Sequence, residues 1–73
     1  MPEMTQKEKI LAYLEKEGTI SPMEAFSHLY ITKLSTRIGE IVREDGVPIF
    51  QKREGQYMRY SLEKLDGYER RSA

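Results

Sequence analysis

Ile31-Thr32-Lys33-Leu34-Ser35-Thr36-Arg37-Ile38-Gly39-Glu40-Ile41-Val42-Arg43-Glu44-Asp45-Gly46 is the stretch on which the fold turns. Leu34, Ile38, Ile41 and Val42 follow one another at steps of 4, 3 and 1, the spacing that lines one face of a helix. Thr32 is placed to cap that helix, which is expected over 33–44, and Asp45-Gly46 ends it. Its outer side carries Thr36, Gly39, Glu40 and Arg43, with Lys33, Ser35 and Arg37 on the flanks.

Upstream, the chain announces two more helices. Thr5-Gln6-Lys7-Glu8 has the form of a capping box, Ile10, Leu11 and Leu14 follow at helical spacing, and Gly18 suits a left-handed C-cap; a helix over 6–17 is expected. Ser21-Pro22-Met23-Glu24 is a second box with proline in the first turn, where its missing N–H costs nothing. It opens a short helix over 22–28 whose buried side is Ala25, Phe26 and Leu29. Thr19-Ile20 is too short for a sheet by itself, although Ile20 suits a bridge to a later hairpin. His28 has no second histidine with which to share a metal and reads as a cap or surface residue.

Downstream of Gly46 the period changes to two. Residues 47–51 and 56–62 read as strands rich in branched and aromatic side chains, joined by the charged turn Lys52-Arg53-Glu54-Gly55. Pro48 fits an edge position. Tyr57, Arg59 and Ser61 share one face, and Met58, Tyr60 and Leu62 the other. The order is helix, short helix, tight turn, helix, hairpin: a mainly α domain with a small β-hairpin over 5–62, the arrangement of a winged helix-turn-helix. The competing arrangement is a three-helix domain whose hairpin only patches the core. Residues 63–73 are a polar tail, expected as a short helix or a frayed end, with Leu65 and Tyr68 as a candidate dimer element; the exposed side of the first helix is another.

Composition narrows the chemistry. Seventy-three residues allow one domain with a thin core. No cysteine is present, which removes disulfides, thiolate metal sites and thiol nucleophiles together. No metal, no cofactor, no catalytic residue and no enzyme activity are expected, because one histidine and no phosphate-binding glycine loop leave no reactive constellation. No apolar run approaches the roughly 20 residues that span a bilayer. Met1-Pro2-Glu3-Met4 has neither a basic flank nor an apolar run, so a cytoplasmic location without membrane contact is expected.

Twelve Lys and Arg balance twelve Asp and Glu, which withholds the positive field usual in a nucleic-acid binder. The distribution is less even. Residues 1–31 hold three basic and five acidic side chains, residues 32–60 hold six basic and four acidic, and the remainder holds three of each.

The stretches Ile20-Ser21-Pro22-Met23-Glu24-Ala25, Ile31 to Ile38, Asp45-Gly46 and Tyr60-Ser61-Leu62-Glu63 resemble the small winged helix-turn-helix domains common in phage and prophage genomes. The likeness covers residues 5–62, and the third-helix pattern of that family here reads ITKLSTRIGEI. Tyr30 stands where such turns often carry glycine, a departure from the family's tight turn.

This resemblance implies sequence-specific binding of double-stranded DNA as a small transcriptional regulator or architectural factor. Helix 33–44 would enter the major groove and the 51–56 wing would lie on the backbone or in the minor groove. The expected DNA-binding residues are Lys33, Ser35, Thr36 and Arg37 in the first turns of the helix, Arg43 further along it, and Lys52 and Arg53 at the hairpin tip. Gln51 and Gln56 flank the tip as further hydrogen-bonding groups. A single module makes few base contacts, so useful affinity is expected to need a homodimer or neighbouring sites. The alternative is a protein-interaction module of the same fold that binds a host or phage protein, with Tyr30, Tyr57, Tyr60 and Tyr68 as its anchors.

Overall fold

Thr5 opens the first helix by accepting a hydrogen bond from Glu8 N at 3.1 Å, while the Glu8 carboxylate accepts one from Thr5 N at 2.9 Å. In the computed structural model, which describes residues 4–71, that capping box starts α1 (Gln6–Glu17), and Gly18 ends it at φ 92°. The expectation drawn from Met1 to Glu3 and the last two residues of the tail lie outside the described residues. β1 (Thr19–Ile20) follows, and Ser21 caps α2 (Pro22–Leu29) through a second complete box with Glu24. Tyr30 then takes a left-handed conformation and turns the chain into Ile31, which is fully in the core.

α3 (Leu34–Glu44) starts one residue later than expected. Lys33, not Thr32, occupies the N-cap position and makes no side-chain cap. Burial decides this: Ile31 and Leu34 both enter the core, so the chain spends Thr32 and Lys33 crossing between them and Thr32 falls out of phase with the free N–H groups.

The hairpin is shifted along the chain relative to its expected boundaries. β2 is Phe50–Glu54 and β3 is Tyr57–Ser61, so Lys52 and Arg53 belong to a strand and the turn is Gly55-Gln56. Gly55, at φ 62°, occupies the first central position, the one where a two-residue type II′ turn requires glycine. Pro48 precedes the ladder, which it cannot donate to, and Ile49 is wholly buried below it.

The tail is neither a helix nor frayed at its described end. Glu69–Arg70 form β4, which pairs antiparallel with β2, and the sheet order is β1-β3-β2-β4. Ile20 pairs with Tyr60, as its bridging role predicts. The core gathers Ile10, Leu14, Ile20, Ala25, Ile31 and Leu34 with Ile38, Ile41, Ile49 and Tyr60. Six of these are isoleucines, each contributing about 1.5–3 kcal/mol on burial. Phe26, expected inside, is 58% exposed, because α2 is short and Ala25 and Leu29 already fill its inner side.

Candidate nucleic-acid interface

α3 turns Leu34, Ile38 and Ile41 into the core, which leaves Lys33, Ser35, Thr36 and Arg43 exposed on its other sides. Ser35 and Thr36 are short, so the first turn of the helix offers a low surface that another molecule can approach closely. Gly39, one turn on, is covered in part by Arg71, whose Nη2 a Cβ there would meet at 3.4 Å.

The cations of α3 and the wing fall into two groups. Arg37 is turned back onto its own domain: Nε donates to Gln6 Oε1 at 2.8 Å and Nη1 to Glu40 Oε1 at 2.8 Å, a bridge from α3 to α1. Arg59, on β3, is consumed more completely. Its Nε donates to Glu54 Oε2 at 2.6 Å, and Nη1 donates to Glu24 Oε1 at 3.0 Å and Thr19 Oγ1 at 3.2 Å. The carboxylate of Glu54 raises the Arg59 pKa further above its already high value, so the side chain is a permanent internal charge.

Lys33, Lys52 and Arg53 form the other group. All three are exposed and make no ion pair among the described residues. Arg53 Nε donates to Gly55 O at 3.3 Å, which folds its guanidinium over the hairpin turn. Lys52 lays its stem against Gly67, where a Cβ would meet its Cε at 3.5 Å. Arg43 lies 3.7 Å from Glu44 with both side chains more than half exposed, a pairing that stabilises little and leaves the guanidinium accessible. Gln51 points away from the tip and accepts a hydrogen bond from Arg71 Nη1 at 3.2 Å, whereas Gln56 is in the exposed turn.

Of the four candidate tyrosine anchors, two are internal. Tyr60 is 2% exposed and Tyr68 9%, and burial raises the pKa of both phenols. Tyr68 therefore seats the tail on its own domain, and of the two side chains expected as a dimer element only Leu65, 37% exposed, lies at the surface. Tyr30 and Tyr57 are exposed. Sequence reasoning missed two exposed apolar side chains of α2, Met23 and Phe26, 74% and 58% exposed. Their helical spacing was legible, but a short amphipathic helix was expected to bury Phe26. It also missed Arg71, whose partners lie on α3 and β2. His28 is exposed and stacks on Tyr13 with ring centroids 5.9 Å apart, a surface role.

Among the described residues no group of three or more His, Cys, Asp or Glu is placed to hold a metal, and no helix is long and apolar enough to cross a membrane. The sequence model of one protein family, the winged helix-turn-helix domain, matches residues 5–64. No curated protein matches the chain, and no solved structure does.

Proposed function

The chain belongs to the winged helix-turn-helix domain family, whose members are non-catalytic modules associated with DNA binding, and from that premise we propose sequence-specific binding of double-stranded DNA. The first turn of α3 enters the major groove, where Ser35 and Thr36 approach the base edges and Lys33 and Arg43 meet phosphates. Arg37, with Nε and Nη1 engaged, contributes through its remaining amino group. Lys52 and Arg53 on the wing hold the backbone or the minor groove. The phage-type likeness of residues 31–38 supports a small transcriptional regulator or architectural factor. Two copies or adjacent sites supply the affinity, since one such module buries only about 600–1,000 Å² on DNA.

One observation carries this reading. In a chain of zero net charge, Arg37 and Arg59 are neutralised internally while Lys33, Lys52 and Arg53 on α3 and the wing remain uncompensated. The test is a titration of random duplex DNA at about 50 and about 200 mM salt. Each phosphate contact contributes about −0.9 to the slope of log affinity against log salt, so four contacts weaken binding on the order of 100-fold across that range. Lys33→Ala and Arg53→Ala are each expected to make the slope shallower. Binding that is absent at the lower salt defeats the proposal.

Met23 and Phe26, three residues apart on α2, with the exposed Tyr30 just past its end, favour a second reading, docking of a host or phage protein on α2, because exposed apolar side chains at helical spacing are a recurrent protein-binding surface. Under that reading the chain ignores DNA and Phe26→Ser abolishes partner capture.

A further inference from the structure

Arg71 is brought to α3 by a strand that lies beyond the residues matched to the family. Its backbone N donates to Ile49 O at 2.8 Å, which extends the β2–β4 ladder by one bond. The side chain then crosses to the helix. Nη1 donates to Gln51 Oε1 at 3.2 Å, and Nη2 makes a long contact of 3.5 Å with Ser35 O. The guanidinium carbon lies 5.9 Å from the centre of the Tyr60 ring. Gly39 leaves room for it: a Cβ there would stand 3.4 Å from Nη2.

The charge of this group is not answered. Lys7, Arg37, Arg43 and Arg59 each have a carboxylate within 4 Å, whereas Arg71 has none among the described residues. Its partners are neutral oxygens and an aromatic face. Nε is buried without a hydrogen-bond partner, so the guanidinium is positioned by its Nη1 bond to Gln51 and its place over Tyr60 while one donor stays unmet. Nη2, with only one long contact, keeps donor capacity on the exposed side. The group sits in the angle between Ser35 of α3 and Gln51 of the wing. A duplex resting on both elements brings its backbone to that angle, and a guanidinium fork suits phosphate oxygens.

We propose that Arg71 is a backbone-phosphate contact of the bound duplex, held between α3 and the wing by Gln51, Ser35 and Tyr60. The proposal rests on the DNA-binding reading and adds to it a residue from outside the helix and the hairpin.

The experiment measures the salt dependence of random-duplex binding for the wild type, Arg71→Gln and Arg71→Lys, with thermal melting of each. Loss of one phosphate contact makes the slope shallower by about 0.9 and weakens binding several-fold at low salt. Arg71→Gln is expected to do this, and Arg71→Lys to retain the wild-type slope. If Arg71→Gln binds with an unchanged slope, whether or not its melting temperature falls, Arg71 is only a brace and the proposal is overturned. A shallower slope in the lysine variant equal to that of glutamine overturns it as well, since charge at that position would then be irrelevant. A wild type that does not bind duplex DNA strikes the parent reading instead, and is told apart from either outcome.

Discussion

Tyr30 holds φ 59° and ψ 34° at the end of α2 while its side chain stays 83% exposed. A tyrosine in the left-handed region costs roughly 1–2 kcal/mol, because its Cβ crowds the backbone. The conformation is imposed from both sides. Tyr30 N donates to Phe26 O at 3.1 Å, and Ile31 N reaches back to Ala25 O at 3.0 Å, so that Ile31 enters the core. The departure from glycine was visible in the sequence and set this turn apart from the family's usual one; burial of Ile31 outweighs the strain and the turn forms. Tyr30→Gly is therefore expected to stabilise the domain by about 0.5–1 kcal/mol, raising the melting temperature by several degrees. A lower melting temperature would show that the exposed ring is itself held by contacts worth more than the strain.

At the level of elements, α1 and α2 each open with a complete capping box. The Glu8 carboxylate accepts from Thr5 N and is held below the ordinary glutamate range by that backbone bond first and by the Thr5 side chain second. Its pKa is lowered on folding, so its contribution is fully present above about pH 4.3, the unfolded value, and is lost as the pH falls through the lower folded value. Wild type is expected to lose denaturant resistance relative to Glu8→Gln as the pH drops from about 5 to about 3. Parallel loss in the two proteins would mean that ionised Glu8 stabilises the fold no more than a neutral amide does. Both capping boxes were legible because each lies within four consecutive residues. The start of α3 and the register of the hairpin were less so. The first was set by where Ile31 and Leu34 are buried, the second by the positive φ that only Gly55 supplies at the turn.

Over the whole molecule, a neutral charge balance conceals a sorting of cations by their partners. Arg59 ties β1, α2, β2 and β3 together, with its side chain 22% exposed. Arg59→Gln is expected to destabilise the fold by about 1 kcal/mol after solvent screening, and to leave the salt slope of DNA binding at its wild-type value. A shallower slope would place Arg59 among the phosphate contacts and undo the sorting proposed here. None of this was readable from the chain order, because Arg59 stands 35 residues from Glu24 and Arg71 stands 36 from Ser35. Helix, helix, helix and hairpin were determined by the sequence itself: periodicity, caps and turn glycines act over a few residues, and their physics needs no distant partner. The tertiary structure alone decided which cations face solvent, that Tyr60 and Tyr68 are internal, and that the tail closes the sheet edge as a strand. Those outcomes depend on which carboxylates, rings and ladder groups meet across the fold, and local spacing carries no record of that meeting.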